Sequence, residues 1–226
     1  MVNHLDNFKK DGYVLIKNFL SKEMADFFYY YIKMEAGKRN FLDEINYFRD
    51  KESFIYREYG EFTDKQCPGA FSRYGDLVFD SLLTYKIDEV KAATGLELVP
   101  NYTYHRLYVT DQVLKPHKDR LSCHISATIC MGYDNRNLDY DYNWPIYMEE
   151  KPVYMEPGDL VVYRGCDLNH YRTEFLGLNH AQVFLHWHDV NDPMFKNKKP
   201  FDGRPILGLG PLFEELKDKN NQYRDE

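Results

Sequence analysis

His117 and Asp119 stand two residues apart, and His170 follows later in the chain. Two imidazoles and one carboxylate gathered on one face of an ion suit iron(II) and leave its other positions open. The i, i+2 spacing supplies the geometry, because alternate side chains of an extended strand point to the same side. His-x-Asp is weak by itself: with 8 His and 21 Asp in 226 residues, about 0.7 matches arise by chance. Two occur. His4/Asp6 has no strand around it, and we read it as accidental. His117/Asp119 follows Pro116, which fixes the chain, and stands between β-prone runs. A solvated His and Asp at a strand end would look the same. A third ligand therefore has to come from a returning strand, and His170 fits. It follows the turn Glu156-Pro-Gly-Asp159, the apolar run Leu160-Val-Val-Tyr-Arg164 and a short polar loop. The plainer reading is a surface-loop His beside Asn169.

A β framework must hold these residues. Asp11-Gly12 precedes the short run Tyr13–Ile16, and Ser21 is the expected N-cap of a helix ending near Lys33. Asp76 caps another helix, in which Phe79, Leu82, Leu83, Ile87 and Val90 recur at helical spacing up to a C-cap at Gly95. From Leu96 the texture changes to short β-prone runs: Tyr102–Tyr108, Cys123–Met131, Val153–Met155, Leu160–Tyr163 and His180–Trp187. Strands at this spacing predict an antiparallel sandwich or barrel, with the N-terminal helices buttressing one sheet. The expected class is mainly β with N-terminal helices. We read residues 1–226 as a single domain: helix-rich support over 1–95, core over 96–190, tail over 191–226 with a short acidic helix from about Leu212.

Composition narrows the partners. Lys plus Arg number 29 and Asp plus Glu 36, a net charge of −7, which argues against nucleic acid or an anionic membrane as the main partner. No apolar run approaches the ~20 residues of a membrane helix, and the start shows no apolar leader core. Cys67, Cys123, Cys130 and Cys166 form no CxxC pair, which predicts reduced thiols, no structural zinc and a cytoplasmic protein. No motif speaks to the oligomeric state.

A set of short motifs gives the chain a likeness. Asp119-Arg120 with Cys123 and Ser126, Trp144-Pro145, Pro157-Gly-Asp159, Tyr163-Arg-Gly-Cys166, His170-Tyr-Arg172, Gln182-Val-Phe-Leu-His186 and Phe201-Asp-Gly-Arg-Pro205 together resemble iron(II)/2-oxoglutarate-dependent oxygenases. The nearest group is related to prolyl 4-hydroxylases and phytanoyl-CoA dioxygenases. The resemblance covers most of residues 96–190 and, more loosely, Asp11-Gly-Tyr-Val14. It implies a double-stranded β-helix, or jelly roll, with His117, Asp119 and His170 as iron ligands and 2-oxoglutarate and O₂ as co-substrates. Ascorbate would be a possible support. The implied reaction is hydroxylation of an unactivated C–H bond, with succinate and CO₂ as co-products. Halogenating relatives replace the carboxylate ligand with Ala or Gly, and Asp119 is present.

The family usually clamps the distal carboxylate of 2-oxoglutarate with an Arg or Lys about ten residues after the second His. Here that position is His180, and Ala181–Trp187 carries no basic substitute. His180 itself, Arg172, or Arg106 and Arg120 from neighbouring strands are the available replacements. Tyr108 matches a position where relatives place a hydrogen bond to 2-oxoglutarate. Arg120, and Arg106 beside it, are also the expected substrate contacts. The substrate is a prolyl peptide or a small amino acid or metabolite. A non-catalytic jelly-roll binding module with a retained metal site, and a cupin-type dioxygenase without an oxo-acid, are the competing readings. His186, His188 and Asp189 are an alternative metal cluster, and the aromatic and charged stretch 41–66 an expected lid or substrate wall.

Overall fold

The computed structural model describes residues 3–48, 58–195 and 199–210. Among the described residues four helices precede most of the sheet: α1 (His4–Asp11), α2 (Lys22–Glu44), α3 (Leu77–Tyr85) and α4 (Ile87–Thr94). His4 and Asp6 therefore sit on a helix, where i and i+2 side chains diverge, and cannot share an ion. Ser21 and Asp76 cap as expected. Ser21 Oγ accepts from the Met24 amide, and Asp76 Oδ1 accepts from those of Val78 and Phe79. Gly95 ends α4 in the left-handed conformation.

Two boundaries differ from expectation for identifiable reasons. α2 continues past Lys33 because its inner face buries Glu35 and Arg39 among apolar Ile32 and Ala36. In the fold Glu35 meets Arg73 and His105, and Arg39 meets Asp43. The helix expected from Asp76 to Gly95 is two, broken at Lys86.

Among the described residues ten strands make two antiparallel sheets. β1 (Tyr13–Ile16), β2 (Phe71–Tyr74), β3 (Leu98–Val109), β5 (Ile125–Asp134), β8 (Leu160–Arg164) and β10 (Asn179–Asp189) form the larger, in the order β1-β8-β5-β10-β3-β2. β4 (Leu114–His117), β6 (Ile146–Met148), β7 (Lys151–Val153) and β9 (His170–Arg172) form the smaller, in the order β4-β9-β6-β7. Strand alternation divides the larger sheet cleanly. Leu107, Ile125, Ala127, Ile129, Leu160, Val162, Val183, Leu185 and Trp187 join the core shared with Phe8, Ile32, Phe79 and Val90 of the helices. The opposite face carries Tyr104, Arg106, Ser126, Tyr163, Phe184 and His186, and looks toward the smaller sheet. Polar residues on that face are buried, which costs stability unless they are paired or functional.

The strand expected from Cys123 starts at Ile125, after a 3₁₀ turn over Leu121–Cys123. The expected helix at Leu212 and much of the stretch 41–66, including Phe54, Tyr56 and Arg57, lie outside the described residues. No helix among the described residues is long and apolar enough to cross a membrane. All four cysteines are free thiols.

Candidate active site

His117 ends β4, Asp119 follows it in the next loop, and His170 begins β9, the strand paired with β4. Pairing places His117 opposite His170, and their rings lie 4.3 Å apart. His117 Nε2 is 3.8 Å and His170 Nε2 3.6 Å from Asp119 Oδ1, so one atom of each residue faces a common point.

The remaining ligand-side atoms are already committed. His117 Nδ1 bonds the Lys115 carbonyl at 2.8 Å and His170 Nδ1 the Leu168 carbonyl at 3.1 Å. A carbonyl only accepts, so both Nδ1 atoms carry the proton and both Nε2 atoms present the lone pair that a metal would need. Burial and the neighbouring His170 hold the His117 pKa below its ordinary value, which keeps the ring neutral as ligation requires. Asp119 lies below the usual carboxylate range, held there against the cost of burial by His170, His186 and Ser126.

Asp119 is held from behind. Its amide donates to the Gly165 carbonyl at 2.9 Å, and Ser126 Oγ donates to Oδ2 at 2.8 Å, leaving Oδ1 outward. Ser126 spends its one proton there, so His186 Nδ1, 2.9 Å away, is the donor to Ser126. His186 is buried, and its pKa is pushed down to about 4, so it is neutral in this role. Gly165 makes room for the arrangement. A Cβ there would collide with the Cys123 carbonyl and Asp119 Oδ2 and would come within 2.7 Å of Ser126 Oγ. Gly165→Ala is therefore expected to push the Asp119 carboxylate aside. Iron(II) affinity should drop roughly 10–100-fold, the range typical of lost outer-shell support, as read by chelator competition with the fold intact by circular dichroism.

The triad opens onto a cavity of about 410 Å³. Tyr74, Tyr102, Tyr104 and Phe184 wall it, with Arg106, Gln66 and Asp64 on one side and Lys118 and Arg120 at another. The tyrosine hydroxyls are turned into the wall. Tyr74 donates to Asp202 at 2.9 Å, Tyr104 donates to Asp64, and the Tyr102 hydroxyl lies 2.8 Å from Cys123 Sγ. Their ring faces are engaged as well: Tyr74 stacks on Tyr102 and Tyr102 on His186, and the guanidinium groups of Arg204, Arg120 and Arg106 lie over Tyr74, Tyr102 and Tyr104.

Gln66 and Asp64 are site residues that no motif announces. Gln66 Nε2 donates to His117 Nε2 at 3.0 Å, directly to the lone pair a metal would take. Gln66 Oε1 and Asp64 Oδ2 accept from Arg106 Nη2 at 3.0 and 2.5 Å. They come from the loop before β2, and nothing in their spacing ties them to His117. Both belong to the end of the stretch 41–66 expected as lid or substrate wall, whereas Tyr47 and Tyr59 of that stretch pack with Phe48 and do not line the cavity.

The tail is more structural than its sequence suggests. Arg204 is buried and donates to Asp80 Oδ2 at 2.9 Å, pinning the segment to α3. Phe201 and Asp202 both adopt left-handed backbone (φ 61° and 55°), an arrangement that costs non-glycine residues energy and persists only when surroundings impose it. It brings the Asp202 carboxylate to Tyr74 and to Arg120, 3.1 Å away. Arg120 stands at the cavity wall with its guanidinium over the Tyr102 ring.

Tyr108, Arg172 and His180 form a separate buried group around Trp144. Trp144 lies 5.0 Å from Tyr108 and 5.3 Å from His180, ring to ring, and the Arg172 guanidinium is 4.8 Å above it. Arg172 shares a strand face with His170, two residues on. It donates to the Trp144 carbonyl at 2.7 Å, and Gln182, with its amide oxygen turned inward, accepts from it at 3.2 Å. Among the described residues no carboxylate lies within ion-pair distance of it, although it is 1% exposed. Burial lowers its pKa, which is the cost of a charge without an anion. Burial and Arg172 together hold His180 well below its ordinary pKa, so it is neutral and a hydrogen-bonding partner only. His186 belongs behind Asp119, while His188 stacks on Phe195, so the alternative His186/His188/Asp189 cluster does not assemble.

No protein-family model and no curated protein sequence matches the chain. Solved structures do. A Pseudomonas putida prolyl-4-hydroxylase superposes with a TM-score of 0.54 at 15% identity, over 81% of this chain and 96% of that one. HygX from Streptomyces hygroscopicus, with nickel, 2-oxoglutarate and hygromycin B bound, gives 0.55 at 14% identity, over 84% and 88%. A Trichoplax adhaerens prolyl hydroxylase in complex with a hypoxia inducible factor peptide gives 0.52 at 13%, over 83% and 88%. The fold is that of the 2-oxoglutarate oxygenases. This confirms the double-stranded β-helix expected from the motifs. Within that oxygenase fold the departure noted in the sequence stands: β10, the strand after His170, carries neither Arg nor Lys.

Proposed function

We propose that this protein is an iron(II)- and 2-oxoglutarate-dependent oxygenase that hydroxylates an unactivated C–H bond of a peptide. The observation that carries the reading is the convergence of two Nε2 lone pairs and one carboxylate oxygen, with every outer atom of the three residues already bonded. A surface cluster would not show that completeness. The donor set fits iron(II), and His117, Asp119 and His170 would hold it. Bound there together with 2-oxoglutarate, iron(II) would supply O₂ activation, with succinate and CO₂ as co-products.

The chain's own part is positioning. Ser126 and His186 aim Asp119, and the two backbone carbonyls fix the histidine tautomers. Arg172 is the anchor for the distal carboxylate of 2-oxoglutarate, because it is the buried cation that lacks an anion. Arg106 is less suited, since Asp64 already balances it. Gln182 and neutral His180 steady the Arg172 fork, and Tyr108 bounds the same group.

The cavity walls favour the substrate class. Aromatic side chains whose hydroxyls are spent within the protein line the cavity beside the metal point, which suits an aliphatic C–H group. A prolyl ring or another apolar side chain within a peptide meets that description, and Arg120 and Lys118 would contact its backbone or flanking groups. A non-catalytic binder would need neither the locked tautomers nor an uncompensated Arg172.

The test is an anaerobic titration of the iron(II)-loaded protein with 2-oxoglutarate. A weak visible metal-to-ligand charge-transfer band is expected. Iron binding without the band would leave a metal-binding module or a different co-substrate, and the proposed activity would fall.

A further inference from the structure

The Gln66 side chain stands in the way of a metal. Its Nε2 donates to His117 Nε2 at 3.0 Å, and a metal–imidazole bond of about 2 Å needs the same lone pair and the same space. The loop that carries Gln66 is fixed on both sides of it. Asp64 is tied to Arg106 Nη2, and its Oδ1 accepts from the backbone N–H of Gln66 at 2.7 Å. Beyond Gln66, Cys67 is buried and the Pro68 carbonyl accepts from Gln112 Nε2 at 2.9 Å. The backbone at Gln66 is therefore held, whereas its side chain is exposed and can change rotamer.

A second cavity gives that side chain somewhere to turn. Gln66 and His117 also line a space of about 390 Å³, together with Lys65, Cys67, Gln112 and Lys115. Gln112 Oε1 is buried and has no hydrogen-bond partner among the described residues. An unpaired buried acceptor costs stability, and this one gains a donor if the Gln66 amide leaves His117 for it.

We propose that Gln66 is a gate on the metal site: its side-chain amide closes His117 in the metal-free protein and turns to Gln112 when metal binds. The proposal rests on the reading of His117, Asp119 and His170 as that site. A rotamer change is fast, so the gate acts on affinity: metal binds only the fraction of molecules in which Gln66 is turned away. The other end of the amide carries the change into the cavity. Closed, Gln66 Oε1 accepts from Arg106 Nη2 at 3.0 Å; open, that bond is lost and Nη2 keeps Asp64. Loading the metal thereby frees an Arg106 donor at the cavity wall.

The test is anaerobic chelator competition for iron(II) with the full chain. Gln66→Ala is expected to raise iron(II) affinity roughly 2–10-fold, the usual net contribution of one hydrogen bond, whereas loss of a side chain that supports the metal would lower it. Gln112→Met removes the acceptor of the open state and should lower affinity by a similar factor. It acts through Gln66, so in the Gln66→Ala background it should have no effect. Affinity in Gln66→Ala equal to or below wild type overturns the gate and leaves the metal site standing. So does a Gln112→Met effect that is absent, or that is the same size with and without Gln66. If neither wild type nor Gln66→Ala binds iron(II), the metal site itself falls and the gate with it.

Discussion

Asp119→Ala is expected to abolish iron(II) binding and 2-oxoglutarate turnover, with His117→Ala and His170→Ala close behind. Each removes one of three atoms that face a common point, and Asp119 is the single anion among them. Loss of an outer-shell partner typically costs 10–100-fold in metal affinity, so loss of a ligand should cost on the order of 10³-fold or more. Chelator competition measures the affinity, and succinate formation measures the turnover. The fold should survive, because the apolar core of the larger sheet lies on its other face, against the helices. Retained affinity in all three variants would move the metal elsewhere.

Arg172→Leu is expected to act in two directions at once. Removing one partner of a buried, hydrogen-bonded charge pair costs roughly 2–5 kcal/mol, about 30-fold or more in affinity, so the apparent Kd for 2-oxoglutarate should rise by at least that. The ligand-free protein should melt at the same temperature or higher, since the substitution removes a buried charge with no carboxylate beside it. Iron(II) affinity should stay near wild type. An ordinary structural arginine would behave oppositely, with stability lost and 2-oxoglutarate binding unchanged. Arg106→Leu provides the contrast: it strands Asp64, and so it should destabilise.

These two variants probe residues of very different visibility. The candidate triad could be picked out in the chain because its signal is local. His-x-Asp spacing, a Pro before it, and a turn, apolar strand and His after it are short-range patterns, and the fold only has to bring β4 and β9 together. The caps at Ser21, Asp76 and Gly95 were equally legible, since each depends on one side chain or one backbone conformation. Arg172 could be proposed from sequence but not preferred over His180, because the choice rests on which cation is buried without an anion.

What only the tertiary structure decided was pairing across long separations. Glu35 and Arg39 look like surface charges until Arg73, His105 and Asp43 are brought beside them, and for that reason α2 runs on past Lys33. Gln66 and Asp64 carry no motif, and they become site residues only when their loop closes on His117 and Arg106. Arg204 and Asp202 read as tail, yet Asp80, Tyr74 and Arg120 make them part of the cavity wall. By itself the sequence determined the donor atoms, their spacing and the strand periodicity that gives a jelly roll. Desolvation and charge compensation, which depend on what else is buried nearby, decided which side chains support those donors, and only folding sets them.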